Sequence, residues 1–552
     1  MSKSNGFVFG ALFVLSISLL GMAHRASAAP TWWQLVRSSH CGDLKCEANR
    51  GESPSSCPLD CGTFSVRSAN KQTNCENAGK SYEPTSAGDA ERLVGELVSR
   101  GQHIRVAGRS HTASSLICSD DAVISTRKLN RIHGIETFGG VETVRFEAGV
   151  TIGELETYLH AKGKTLGFAV PGFSGVTWAG ALATGTHGTS RHFEATLSSR
   201  AVSIRITSSE GRSEEFSERN AAPAFWKALR TNLGAFGLVT EVRAKIEDQF
   251  KLDTEIAFAS EEEIFRGLKG ERGARVEFGA PCDYETVFWF PGAKQTLRLC
   301  GNKTDKPADL GVENRLLVRS SDPASLEKER KMFHFARGSS LLACTLEKQV
   351  LKAAKSAPPL QITGADGKPS HPLRVVGYSH QILTSFPAEG QPFWTAADWE
   401  VAIPQQYAGA ALVFAREFFK KNDICLPLYG IWLRFIQVQD SALVGHSTAS
   451  GEFHAGDYAM TFEFLLYNLY NLDEGTRARL NEPYRRLISE LIDRFHARPH
   501  WGKNEEWALE RALERGAYGK NSSTFVDEAR RFDPRGLFSN SFLNQALFQR
   551  RD

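Results

Sequence analysis

Residues 171–189 read PGFSGVTWAGALATGTHGT, and residues 104–112 read IRVAGRSHT. The shorter stretch lies in a strand, His103 to Ala107, that runs into a turn of small and polar residues. In the longer one, glycine, alanine, serine and threonine fill most positions. Side chains this small let backbone N–H groups approach an anion, and the hydroxyls of Thr177, Thr184 and Thr186 add donors, so the two loops suit a diphosphate. Neither has the GxGxxG or GxxxxGKS/T spacing, so a Rossmann or P-loop nucleotide site is not supported.

Around these loops, from about Cys75 to Glu247, helix and strand patterns alternate. Asp89 is placed to cap a helix with Leu93, Val94, Leu97 and Val98 on one face and Gly101 as its stop. Thr151 and Glu154 form a capping box for a second helix carrying Leu155, Tyr158 and Leu159. Leu238, Val242, Ala244 and Ile246 alternate with Glu241, Arg243 and Lys245, the period of a half-buried strand. From about Phe250 to Arg494 the chain is again mixed, with strands around Val287, Trp399 and Trp432 and a helix near Tyr484 to Phe495.

The composition frames this reading. The chain has 552 residues, 41% hydrophobic and 23% charged, which excludes a wholly disordered, collagen-like or coiled-coil protein and leaves room for about two to four domains. Lys and Arg number 66 against 63 Asp and Glu, and a net charge of +3 gives no footprint for a nucleic acid.

Met1 to Ala28 has one early Lys, an apolar run from Phe7 to Leu20 and a small-residue end, Ala26-Ser27-Ala28, the plan of a secretory signal peptide. The apolar run is shorter than the ~20 residues of a membrane helix, and no later stretch is long or apolar enough to span a bilayer. The expectation is an exported protein, periplasmic or extracellular, with no stable membrane span. Export favours disulfides. Cys41, Cys46, Cys57 and Cys61 crowd into CGDLKCEANRGESPSSCPLDCG, which lacks the apolar residues for a core and reads as a cross-linked module. Three pairings are open. A four-thiolate zinc site lacks its paired C-x-x-C spacing, and Asp43, Glu52 and Asp60 offer a cation only a solvated loop. The module resembles short Cys-rich segments found after the signal peptide of exported bacterial proteins, and a cell-envelope contact is its natural use. Cys282 and Cys300 flank a hairpin around Pro291-Gly292, where a cross-strand disulfide is expected. Spacing pairs none of the remaining four cysteines.

The two loops, followed by LGAFGLVT at 233–240, resemble the FAD-binding domain of the vanillyl-alcohol oxidase superfamily, and within it the sugar-1,4-lactone and alditol oxidase group. The likeness resumes at Trp289-Phe290-Pro291 and at WEVAIP (399–404). It ends on RPHWGK (498–503) and RFDPRGLFSN (531–540). The resemblance implies an α+β architecture: a two-part FAD-binding domain at 75–250, an α+β substrate cap with a central antiparallel sheet at 251–495, and a C-terminal segment at 496–552 returning to the flavin. A leader (1–28) and the Cys-rich module with its linker (29–70) precede them.

The resemblance also implies roles. His111 aligns with the histidine joined covalently to the flavin 8α-methyl group. No Cys lies between Cys118 and Cys282 to make a second flavin bond. Ala107, Gly108, Arg109, Ser110, Thr112, Gly172, Thr177, Gly180, Thr184, Gly185, Thr186, His187, Val239 and Asn540 match FAD-contacting positions. Pro171 stands where family oxidases carry Gly or Pro, which points to dioxygen as acceptor. Oxidation of a carbinol needs a base for the hydroxyl proton and a cation near flavin N1. Lys503 fits the cation, His500 its frame, and Arg434 an active-site arginine on a cap strand. Two positions before Arg434 the family usually has Glu, but here stands Trp432. Phe462 aligns with a family histidine, and a shift of one residue makes Glu463 a candidate base or substrate contact. The implied function is an exported FAD-dependent oxidase of a CH–OH group in a sugar, aldonolactone or alditol, acting on a small-molecule substrate and dioxygen and releasing hydrogen peroxide. A dehydrogenase using a quinone or cytochrome, and an oxidase of a bulky apolar alcohol such as a sterol, are the alternatives. No metal is called for.

Overall fold

The computed structural model describes residues 80–549 apart from 269, 271, 317–321, 338, 387–395, 427–428 and 468–473, together with positions 49, 66–67 and 73–75. The expected leader and the four cysteines of the module lie outside the described residues.

Strand β1 (Lys80–Tyr82), helix α1 (Ala87–Ser99) and strands β2 (Ile104–Ala107) and β3 (Ala122–Ser125) open the described fold, and the strands form a parallel sheet in the order β1-β3-β2. The N-cap of α1 is Ser86, not Asp89: the Ser86 hydroxyl accepts from the Asp89 N–H, and Asp89 sits in the first turn, where its charge favours the positive end of the helix. Ala90, Val94, Leu97 and Val98 of α1 are buried against Ile104, Ala122 and Ile124, and Leu537 and Phe538 join the same cluster. The C-terminal segment is therefore part of this layer, and the Ile104 N–H donates to the Leu537 carbonyl at 2.7 Å.

A second, antiparallel sheet is built from β4 (Ile132–Phe138), β5 (Val141–Glu147), β6 (Ala201–Thr207), β7 (Ser213–Ser217) and β8 (Leu238–Lys245), in the order β7-β6-β8-β5-β4. Before β6 the chain makes α2 (Ile152–His160), entered through the Thr151–Glu154 capping box, and the short α3 (Trp178–Ala183) inside the long glycine-bearing loop. Leu238, Val242 and Ala244 point inward as their alternation predicts. Glu241 is buried as well, because a register irregularity precedes it and Arg145 Nε donates to its carboxylate at 2.8 Å.

The third sheet is antiparallel and positions the site. Its strands are β9 (Lys251–Ser260), β10 (Tyr284–Phe290), β11 (Gln295–Thr304), β12 (Arg374–Tyr378), β13 (Ala396–Pro404), β14 (Ile431–Gln437), β15 (Tyr458–Tyr467) and β16 (Arg498–Pro499), in the order β12-β9-β11-β10-β14-β15-β13-β16. Register pairs Trp432 with Glu463 and Glu463 with Glu400. Side chains alternate across a strand, so Trp432 and Arg434 of β14, Glu463 and Leu465 of β15, and Asp398 and Glu400 of β13 share one face. Leu433, Phe462 and Val401 occupy the other face, in the core with no exposed surface.

Three disulfides join the described cysteines: Cys75–Cys118, Cys282–Cys300 and Cys344–Cys425. The second is the expected one beside the β10–β11 hairpin. The other two link residues 43 and 81 positions apart, which no spacing rule connects. No described helix is long and apolar enough to cross a membrane.

Candidate active site

One cavity with about 1600 Å³ of unfilled space, its mouth included, runs between the first two sheets and the shared face of the third. Residues 105–112 and the 171–187 loop line one end. Asp398, Glu400, Trp432, Arg434, Glu463, Leu465, His500 and Lys503 line the other. Every cofactor residue expected from sequence lines it except Gly185 and Asn540. Gly185 has φ of 78° and packs beside Gly445 and His446. Asn540 caps the helical turn that follows it, and its amide donates to the carbonyls of Ser115, Leu116 and Cys118. It thereby fixes the turn that carries Leu116 and Ile117, two residues of the cavity wall. Thr184 lines the cavity, but its hydroxyl turns back onto the carbonyl of Ala181 at 3.3 Å.

The two loops interlock at Thr177. A Cβ placed on Gly108 would lie 2.0 Å from Thr177 Oγ1, and one on Gly180 would lie 2.7 Å from the same atom. No larger residue fits at either position, and the backbone stays bare toward the cavity. Ser110 takes φ of 54°, a conformation costly for a residue with a side chain and one that turns the backbone at the centre of the first loop. These features fit the diphosphate of FAD. The variant Gly108→Ala is expected to purify with several-fold less flavin per chain, as read from the ratio of visible to ultraviolet absorbance.

His111 is half-buried and packs against Phe173, with ring centroids 5.1 Å apart. Burial, with the Arg109 guanidinium nearby, pushes its imidazole down to about 4, so it is neutral at physiological pH. A neutral ring nitrogen is the form that bonds to carbon, which fits the expected flavin attachment.

At the other end, five charged side chains form one buried cluster. Lys503 Nζ donates to Glu400 Oε2 at 2.8 Å, to Glu463 Oε1, and lies 3.5 Å from Asp398 Oδ2. Arg434 Nη2 donates to Glu400 Oε2 at 2.9 Å and to Glu463 Oε2 at 2.5 Å. Glu463 is only 4% exposed; it is neither solvated nor displaced by Phe462, which faces the core. Burial raises its carboxyl to about 8, against the pull of Lys503 and Arg434. Burial also raises Asp398, whereas at Glu400 the adjacent Lys503 and Arg434 outweigh burial and hold the carboxyl well below the usual carboxylate range. The three carboxylates likewise outweigh burial at Lys503 and keep it protonated.

The RPHWGK stretch delivers Lys503 by docking on β13: the His500 N–H donates to the Glu400 carbonyl at 2.9 Å, and Asn504 Nδ2 donates to the same carbonyl at 2.5 Å. Trp501 is fully buried, with Nε1 donating to the Val444 carbonyl at 2.8 Å. His500 Nδ1 accepts from the Gly502 N–H at 3.0 Å, and burial pushes its imidazole well below its usual range. It lines the cavity wall as a neutral residue, which suits the frame expected of it.

Asp398, Glu400 and His446 belong to the cluster and were not singled out from sequence. Asp398 and Glu400 carried a signal, two acids two positions apart in a strand of otherwise apolar residues. His446, whose Nε2 lies 3.3 Å from Glu400 Oε1, sits in a loop with no pattern. Ligand atoms of His187, Glu400 and His446 fall within 4.8 Å of one another. Two cations already engage Glu400, however, so the trio is part of an ion-pair network.

Comparison with known proteins agrees with this geometry. The family described as "FAD binding domain" matches residues 81–217, and that described as "D-arabinono-1,4-lactone oxidase" matches residues 277–546. A probable L-gulonolactone oxidase 6 of Arabidopsis thaliana is 24% identical over 507 residues, covering 86% of this chain and 80% of the relative. An L-gulono-1,4-lactone dehydrogenase of Mycobacterium tuberculosis is 24% identical over 466 residues, covering 84% and 95%. Among solved structures, a cholesterol oxidase from Brevibacterium sterolicum superposes with a TM-score of 0.67 at 16% identity, covering 88% of this chain and 96% of that one, a likeness of fold. With both halves of the architecture matched in order, the chain belongs to the sugar-lactone oxidase group of the vanillyl-alcohol oxidase superfamily and is an FAD-dependent oxidoreductase of the gulonolactone oxidase type.

Proposed function

We propose that the protein oxidises a secondary CH–OH group of a sugar, aldonolactone or alditol and passes the electrons to dioxygen, releasing hydrogen peroxide. The observation that carries this reading is the single cavity that joins the diphosphate-fitting loops to Lys503, Arg434 and Glu463. Bound FAD supplies the hydride acceptor. The chain's own groups do the rest: Glu463 takes the hydroxyl proton, Arg434 and Lys503 orient the oxygen and hold positive charge where negative charge develops, and Trp432 and Leu465 wall the substrate away from water.

Residues 75–250 would hold the cofactor, 251–495 cap it, and 496–552 return Lys503 to it. His111 is read as the covalent attachment point. Three disulfides among the described residues support export, and residues 29–70 are read as the part that meets the cell envelope. Trp432 favours a second reading, a substrate with an apolar face, up to a bulky apolar alcohol. A peroxide-coupled screen of aldonolactones, alditols, aldoses and sterols tests the activity. Peroxide with an aldonolactone or alditol supports the first reading; peroxide with sterols alone moves the substrate to the second; flavin reduction without peroxide moves the acceptor to a quinone or cytochrome. Acid precipitation is expected to leave the flavin on the wild-type chain and to release it from His111→Ala. Flavin in the wild-type supernatant would remove the covalent bond from the account.

A further inference from the structure

His187 makes two short contacts, and both partners are acceptors. Its Nδ1 lies 2.7 Å from the Gly188 carbonyl oxygen, and its Nε2 lies 2.7 Å from Glu400 Oε1. A neutral imidazole has one N–H and one lone pair, so it donates to only one of them. Its remaining lone pair would then face an acceptor at 2.7 Å in a place where His187 is 1% exposed and Glu400 not at all. Glu400 does not supply the missing proton: its other oxygen takes two charged donors, Lys503 at 2.8 Å and Arg434 at 2.9 Å, which is the environment of an ionised carboxylate.

We infer that His187 carries a proton on each ring nitrogen in the resting enzyme, and that this imidazolium is a positioning residue for the reaction, the third cation of the cluster. When all three carboxyls are ionised, the state in which Glu463 accepts a proton, Lys503, Arg434 and His187 balance Asp398, Glu400 and Glu463. In that state, without the imidazolium, one carboxylate is in excess in the interior, where an uncompensated charge is expensive. The other groups facing this pair are His446, with its ring centroid 4.7 Å from that of His187, and His500 at 6.3 Å. Burial pushes both of those imidazoles down, and they add no charge. Burial first, and then the Arg434 guanidinium, push the His187 imidazole down to about 3 against the pull of the Glu400 carboxylate; the two 2.7 Å contacts with acceptors set the inference against that push.

The consequence falls on Glu463. A third positive charge helps keep its carboxyl ionised near neutral pH, the state a proton acceptor needs. This kinetic part rests on the proposed role of Glu463, whereas the protonation of His187 does not. Neutron diffraction from perdeuterated, flavin-loaded enzyme tests the protonation directly. Deuterons on both Nδ1 and Nε2 of His187 are expected; a ring with one deuteron overturns the inference, wherever the other resides. The positioning role is tested with His187→Gln, which keeps a donor toward Glu400 and removes the charge. The pH midpoint of anaerobic flavin reduction, measured per bound flavin with the aldonolactone found active in the peroxide screen, is expected to rise by about one unit. An unmoved midpoint overturns that role. If no aldonolactone reduces the flavin, the substrate reading fails, while the diffraction result still decides the state of His187.

Discussion

Lys503→Met lowers the rate of flavin reduction by roughly 10²–10³-fold, the range seen when one preorganised electrostatic donor is removed from an active site, while most of the flavin stays bound. The reason is geometric. Lys503 touches Glu400 and Glu463 and lies 3.5 Å from Asp398, so its contacts are with the carboxylates of the third sheet. Its loss removes positive charge where the reaction needs it and leaves Glu463 facing Arg434 alone. Breaking a buried pair is also costly to the fold, about 3–5 kcal/mol, so the variant should unfold at a lower temperature. Rapid-mixing absorbance separates the effects, since flavin content and reduction rate are read on one sample. Equal loss of flavin and of rate would make Lys503 structural.

Glu463→Gln is expected to have an effect of similar size, roughly 10²–10⁴-fold on flavin reduction, the usual contribution of a positioned proton acceptor. It carries a signature that Lys503→Met does not. Glu463 has its ionisation raised by burial toward about 8, and only its ionised form accepts a proton. The wild-type rate should therefore climb with pH and level off, with a midpoint no higher than about 8, and the Gln variant should lose that limb. A variant that keeps the limb would assign it to another group, Asp398 first, because its carboxyl is also raised by burial and lies beside Lys503.

Much of the fold was legible in the sequence because its signals are local. The Thr151–Glu154 box and the β10–β11 hairpin each occupy a few consecutive residues and formed as read, and the run after Leu238 formed its strand with Glu241 buried against the alternation. The cap of α1 was misplaced by three residues because Ser86 and Asp89 are both good caps, and only the backbone says which one is extended. Contacts set by sheet register were beyond reach. Trp432 lies opposite Glu463, and Glu463 opposite Glu400, through pairings between strands separated by long connections. That register, not the strand's own pattern, turns Glu463 into the cavity and Phe462 into the core. It also explains Trp432: a Cβ on Gly172 would lie 2.7 Å from Trp432 Cη2, so the bare glycine of the long loop makes the room in which the indole sits. The distant disulfides Cys75–Cys118 and Cys344–Cys425 were illegible for the same reason.

In the proposed reaction one cavity both holds a flavin and oxidises a carbinol. Anaerobic mixing of the flavin-loaded enzyme with a sugar-1,4-lactone, followed by air, tests it most directly. The visible flavin band is predicted to bleach on mixing and to return with air, with one hydrogen peroxide released for each flavin reoxidised. A band that no aldonolactone, alditol, aldose or sterol bleaches would contradict the claim.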